Sequence, residues 1–347
     1  MCVRGAGHSE RKMSMNLPKS RRHFILTGMA GFAGLMTSSC SSKKAQTFTW
    51  TSIAFDTEVS VKMVGIDATQ YSKLAPLLSE RILEIEKLFS LYLADSWISR
   101  LNADGEVKNA PQEFTAMITR CIDYGRQTKG LFDVTVQPLW EHYQSGDNDL
   151  DEVLKLVDIQ KVIMNGDSIK FAQAGMKLTL NGLVQGYLTD AITELLVEQG
   201  VENALVNGGE FRALGDENPA SKNSGWQVQI MGSEAVISTT TLLSGEALAV
   251  SAGYGQTYAV GSSAELGRHL FHPSNGVKNP INKKRTFVVK ADSAEKADVF
   301  ATAVAVSQKP QWQALAKQVT ELQVYEGAEL FYSLKGVYIF KPMVSEV

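Results

Sequence analysis

Cysteine is almost missing from this chain: three in 347 residues, at positions 2, 40 and 121. Once a leader ending at Cys40 is set aside, no disulfide framework is available and the fold must rest on its hydrophobic core. Histidine is nearly as scarce, with five. His269 and His272 stand three apart, but no cysteine or third histidine is near them, and zinc needs three or four such ligands, so zinc is excluded. The chain also lacks a surplus of charge. Lys and Arg total 34 against 37 Asp and Glu, a net −3, and no basic run lies beyond the first 45 residues, which argues against a polynucleotide partner. Disorder is not indicated either, since 44% of residues are hydrophobic and 20% charged, the balance of ordinary globular material.

The first 40 residues read as an address. Arg21 and Arg22 precede an almost uncharged apolar run, Phe24 to Met36, that is too short to span a bilayer as a helix. The string SRRHFIL (20–26) resembles the twin-arginine export consensus, which implies export of an already folded protein to the periplasm. Cys40 ends the run ahead of SSKKAQ. Its thiol is a candidate for lipidation and a membrane anchor, although MTSS ahead of it lacks the leucine usual in such signals; ordinary signal-peptidase cleavage is the alternative.

Beyond the leader the periodicity changes repeatedly. Phe48 to Val64 alternates apolar and polar residues and predicts strands. Leu74, Leu77, Leu78, Ile82, Ile85, Leu88 and Phe89 recur at three and four, an amphipathic helix. A second helix buries Phe114, Met117, Ile118, Cys121 and Ile122, with Gly130 beyond its end as a left-handed cap. VIMNGDSIKFA (162–172) predicts a hairpin, and MKLTLNG a strand breaking at Asn181–Gly182 into a helix that ends at Gly200. VENALVNGG returns as a strand. From Trp226 to Phe340 short strands are interrupted by a helix carrying Asp298 and another at Trp312 to Val319. No repeat or linker divides the chain, so a single α+β unit of two intimately packed halves is expected.

Several segments carry polar groups in chemically useful places. Asp298 and Thr302 are four apart in SAEKADVFATAVAVS, so their oxygens share one helix face. They read either as a cap and a back-bonded hydroxyl or as a clamp for a hard cation such as Mg²⁺. LNGLVQGY (180–187) sets Gly182 and Gly186 at a strand-to-helix junction, suited to phosphate or simply to a sharp turn. NGGEFRALG (207–215) places Glu210 and Arg212 beside a glycine turn, where they can pair in solvent. In GLFDVTVQPLW (130–140), Asp133 lies at a strand edge, either capping a loop or accepting hydrogen bonds from a ligand beside aromatic neighbours.

In order, FSLYLADSWISRLN, GLFDVTVQPLW, LNGLVQGYLTD, VNGGEFRALG, AVSAGYGQTY, HLFHPSNG and ADVFATA resemble the ApbE family of FAD:protein FMN transferases, from residue 48 to 340. The resemblance implies an α+β fold with mixed or antiparallel sheets. It also implies an exported enzyme that uses FAD and Mg²⁺, moves FMN to a threonine hydroxyl of a flavoprotein subunit of a respiratory or redox complex, and releases AMP. Tyr92 matches the family tyrosine that packs on the dinucleotide, and Leu131, Phe132 and Asp133 the segment that lines it. Gly182 matches a backbone carbonyl on the cation, with Asp298 and Thr302 as its side-chain ligands. Thr179, Gln185, His269 and Phe271 are likewise assigned to the dinucleotide, with His269 as candidate for handling the threonine proton and Asp298 as the second catalytic residue. Many members have Asp at Thr179, Lys at Gln185 and Asp at His272. Hydrolysis of FAD to FMN and AMP, or flavin binding without catalysis, are the alternatives. The sequence stops at Val347 with no appended acceptor, so the acceptor is expected to be another polypeptide.

Overall fold

The computed structural model describes residues 45–145, 149–232, 235–252, 270–276 and 284–335, together with the backbone of 257–259 and 266–268. The expected strands over 48–64 are a hairpin, β1 (Thr47–Ala54) and β2 (Thr57–Val64), turning through Phe55 and Asp56, both at positive φ. Helices α1 (Ala68–Phe89), α2 (Trp97–Asp104) and α3 (Gln112–Gln127) follow, with the short strand β3 (Glu106–Val107) between the last two. Gly130 sits at φ +78° and donates its N–H to Gly125 O, as the sequence predicts for a helix end. Then come α4 (Gln137–Ser145), α5 (Leu150–Leu154), and the hairpin β4 (Val162–Asn165) and β5 (Ser168–Phe171), which turns on Gly166 and Asp167.

After the hairpin the chain departs from expectation. MKLTLNG forms no ladder strand: Leu178 exchanges both its backbone bonds with the side-chain amide of Asn102, and Thr179 N donates to Val134 O at 2.8 Å. A side-chain amide satisfies the backbone where a neighbouring strand would have done so, which periodicity cannot foresee. Helix α6 (Val184–Glu198) then leads to β6 (Ala204–Asn207) and β7 (Phe211–Leu214). Strands β8 (Trp226–Met231) and β9 (Val236–Leu242) form a hairpin, as do β11 (Thr257–Ala259) and β12 (Leu266–Arg268), with β10 (Ala247–Ala252) between the two pairs. The chain continues through β13 (Arg285–Ala291), α7 (Ala294–Val306), α8 (Lys309–Ala316), β14 (Glu321–Glu326) and β15 (Glu329–Lys335).

Eight strands make one antiparallel sheet in the order β1-β2-β6-β7-β10-β13-β14-β15. Because side chains alternate across a strand, neighbours in sequence serve opposite faces. Val206, Ala249, Phe287, Val289 and Val324 enter the main core with the helices, whereas Leu205, Leu248, Val288 and Tyr325 join Trp226, Val228 and Ile230 beneath the β8–β9 hairpin. The two cores lie on opposite faces of one sheet, within a single α+β unit. Helix α7 is apolar nearly all round because it is enclosed, lying against α6 on one side and β10 and β13 on another.

Candidate functional site

Two helices meet along a ladder of matched positions. Gly182, Gly186 and Asp190 advance by four residues through the turn and first half of α6, while Thr302, Asp298 and Ala294 step back by four along α7. Four-residue steps keep side chains on one helix face, so antiparallel helices place the pairs 182/302, 186/298 and 190/294 opposite one another. A Cβ built on Gly182 would lie 3.3 Å from Thr302 Oγ1 and 3.2 Å from Phe132 Cε2. Gly186 donates its backbone N–H to Asp298 Oδ2 at 3.3 Å. A Cβ on Gly186 would come within 2.4 Å of Ala294 O, closer than any real contact, so only glycine lets these backbones approach. The third rung is polar: Asp190 accepts from Ala294 N at 2.8 Å and Glu295 N at 2.9 Å.

The structure thus brings Gly182, Phe132, Asp298 and Thr302 together. Asp298 is buried on the α7 face that looks onto the 180–186 turn, one helical turn from Thr302. Oxygen is the donor these residues offer, and among the described residues no group of three or more His, Cys, Asp or Glu side chains is arranged for a metal. One carboxylate, one hydroxyl and a glycine backbone suit a hard cation that keeps water and phosphate oxygens in its shell, not a soft or nitrogen-seeking one. The cradle facing Thr302 is one that a Cβ at position 182 would narrow.

The other expected site residues divide. Tyr92, 64% exposed on the turn after α1, is free to present its ring to a ligand. Leu131 and Phe132 are core residues, and Phe132 forms the wall against Gly182. Asp133 is not at a strand edge. It caps a 3₁₀ turn over Val134–Val136, with Oδ1 accepting from Thr135 N (2.8 Å) and Thr135 Oγ1 (2.5 Å) and Oδ2 from Ile159 N (3.0 Å). Burial pushes its carboxyl up, against the pull of those donors. The capping role that the sequence offered is present, and both carboxylate oxygens take part in it.

Gln185 is buried and donates from Nε2 to Thr57 Oγ1 at 2.7 Å, while its side chain fills the space beside Gly209. The Thr179 hydroxyl accepts from Asn181 N at 3.3 Å, shaping the turn ahead of α6. Phe271 is buried in a separate small cluster with Leu139, stacked on Tyr143 at 5.2 Å. His269 lies outside the described residues. His272 holds its Nδ1 3.1 Å from Ser274 Oγ, and burial draws its imidazole below the usual range. Not every amide of the 182–186 turn is available to phosphate: Leu183 and Val184 donate back to Leu180 O, and Gly186 serves Asp298.

Glu210 and Arg212 do not pair in solvent. Both are buried; Glu210 Oε2 accepts from Val250 N at 3.1 Å, and Arg212 Nη1 lies 2.7 Å from Asp190 Oδ1. Asp190 escaped the sequence reading altogether, since its partners are 22, 104 and 105 residues away. The signal that would have found it is the shared four-residue spacing of 182, 186, 190 and 294, 298, 302. Burial pushes the Asp190 carboxyl above the ordinary range, opposed by Arg212 and the two amides. Cys121 is fully buried and burial raises its thiol, which fits inert packing.

Known proteins carry the same arrangement of elements. The chain is 24% identical over 307 residues to the FAD:protein FMN transferase of Salmonella typhimurium, covering 82% of this chain and 83% of that one. It is 24% identical over 310 residues to the protein of that name from Vibrio cholerae, covering 84% and 90%. Its fold matches the flavinyl transferase ApbE of Pseudomonas stutzeri with a TM-score of 0.69 at 21% identity over 86% of this chain and 96% of that one. The ApbE protein of Thermotoga maritima gives 0.69 and 21%, covering 84% and 97%. With the family model matched from residue 55 to 325, across both halves of the sheet and the α6–α7 ladder, the chain belongs to the ApbE family.

Proposed function

We propose that this protein is an FAD:protein FMN transferase that moves the FMN moiety of FAD onto a threonine hydroxyl of an acceptor flavoprotein, with Mg²⁺, and releases AMP. The observation that carries the reading is the pair of rungs that sets Thr302 against Gly182 and Asp298 against Gly186 beside the wall of Phe132. The names borne by its relatives in Salmonella and Vibrio support the reaction class.

The chain's own groups have distinct tasks. Asp298, Thr302 and the Gly182 carbonyl would hold the cation, and the Gly186 N–H fixes the orientation of the Asp298 carboxylate. Magnesium, when bound, offsets the charge of the diphosphate. Tyr92 offers an exposed ring for the dinucleotide to pack on. The threonine Oγ forms a bond to the flavin-side phosphorus as that atom's bond to the bridging oxygen breaks, and AMP leaves with the bridging oxygen and the electron pair. The threonine proton needs a base, for which His269 is the candidate. Aligning the hydroxyl in line with the departing oxygen accounts for much of the rate.

Mass spectrometry of an acceptor peptide incubated with FAD and Mg²⁺ tests this: a threonine carrying FMN, with one AMP per modified peptide, is expected. AMP release at the same rate without acceptor would make the protein a pyrophosphatase, and intact FAD throughout would leave it a flavin binder. The twin-arginine leader supports export, with Cys40 as lipid anchor and an acceptor in a respiratory or redox complex on the same side of the membrane. Retention of the wild-type chain in the cytoplasm would remove that part of the proposal, and export of a chain carrying both Arg21→Lys and Arg22→Lys would remove the twin-arginine route alone.

A further inference from the structure

Asp190 completes the ladder whose other two rungs hold the candidate cation ligands. It is buried, and its oxygens take the first two free N–H groups of α7, those of Ala294 and Glu295. Ser293 Oγ accepts the third, from Lys296 N at 3.3 Å. A helix start leaves such donors orphaned, and a carboxylate there also meets the positive end of the dipole. The unusual point is where the cap comes from: α6, one turn beyond the glycine whose N–H grips Asp298. Arg212 in β7 holds the same carboxylate from the other side at 2.7 Å. Axial position and rotation of α7 are therefore set from α6 at its first residue, and Asp298 and Thr302 lie one and two turns further along the same face.

We infer that Asp190 is the positioning residue of the cation site, fixing the register of α7 on α6 so that Asp298 and Thr302 face the Gly182 turn. It touches neither substrate nor cation. A slip of α7 by even part of a turn would carry both ligands away from Gly182 while leaving the core packing around Phe300 and Val304 largely apolar on apolar. This inference rests on the reading of Asp298 and Thr302 as cation ligands.

The test is direct cation binding, with Mn²⁺ as probe, followed by electron paramagnetic resonance in the presence of FAD. Asp190→Asn keeps the shape and removes the charge. Since it leaves Arg212 buried without its partner, the Asp190→Asn/Arg212→Met double variant is made alongside it. Both are expected to bind Mn²⁺ about tenfold to a hundredfold more weakly, the usual cost of losing a group that orients a metal ligand. Affinity for FAD in metal-free buffer should stay close to that of the wild type, a split that general loosening of the fold would not produce. Wild-type Mn²⁺ affinity in either folded variant, while Asp298→Ala loses it, overturns the inference and leaves the proposed function standing. Wild-type affinity in Asp298→Ala overturns the cation reading itself and the inference with it. If neither Asp190 variant folds, amide exchange of the wild type decides: where Mg²⁺ with FAD slows exchange at 298–302, it should also slow the Ala294 and Glu295 amides that Asp190 holds, and unchanged exchange at those two alone overturns the inference.

Discussion

The two faces of α6 are built on opposite rules. Toward α7 the contacts are made by backbone and short groups: Gly186 lies against the Ala294 carbonyl, and Asp190 binds two main-chain amides. Toward α1 and α3 the contacts are made by the ends of long side chains. Tyr187 donates its hydroxyl to Glu113, which also takes a two-pronged bond from Arg81 at 2.7 and 3.1 Å. Arg120 of α3 lies over the Tyr187 ring at 5.2 Å and reaches past α6 to Glu295 of α7 at 2.9 Å. Burial works to raise the Glu113 carboxyl, yet the guanidinium and the phenol hold it below the ordinary range. Long side chains can shift their tips by a few tenths of an ångström at little cost, whereas touching backbones cannot. The rigid face is the one that carries the candidate site, and the adjustable face braces it from behind.

The sharpest way to break that contrast is Gly186→Ala. The added methyl would sit 2.4 Å from Ala294 O and 2.7 Å from Glu295 Cα, atoms that can yield only if α7 moves. Overfilling a packed site costs about 1–3 kcal/mol, and a contact with main chain belongs at the upper end. Urea denaturation should register that loss together with a fall in flavin transfer, because the displaced helix carries Asp298. Full stability in Gly186→Ala would show that the ladder is looser than its geometry implies.

The same contrast explains what the sequence could and could not disclose. Helices α1 and α3 were legible because their apolar residues recur at three and four, α6 because glycines at 182 and 200 bound it, and β1–β2 because their apolar residues alternate. Asp298 and Thr302 were legible as a pair because four residues is one helical turn, a local fact. Asp133 misled because its flanking Phe132 and Val134 look like strand residues, while its Thr135 and Ile159 partners are what bend the chain into a 3₁₀ turn. Asp190 was hidden inside an apolar stripe, and its role exists only once α7, more than a hundred residues later, is laid against α6. Spacing within one helix is written locally, whereas the register between two helices is not.

A milder probe sharpens the comparison from the adjustable side. Tyr187→Phe removes a hydroxyl that donates to Glu113 and accepts a long bond from Arg81 at 3.4 Å, and it leaves the Arg81–Glu113 pair in place, so the expected loss is about 1.5 kcal/mol, the lower end for a hydrogen bond to a charged group. Its pH dependence follows from the depressed Glu113 carboxyl. A group whose folded pKa lies below its unfolded value stabilises the fold fully above the unfolded pKa, and that contribution fades as pH falls through the folded one. The phenol is one of the donors that depress it, so the gap between wild type and Tyr187→Phe should be largest near neutrality and close in acid. Flavin transfer should change little, because α7 keeps its seat on Gly186 and Asp190. A loss as severe as that of Gly186→Ala, or a gap that widens toward acid pH, would mean that the braced face is no more forgiving than the one it supports.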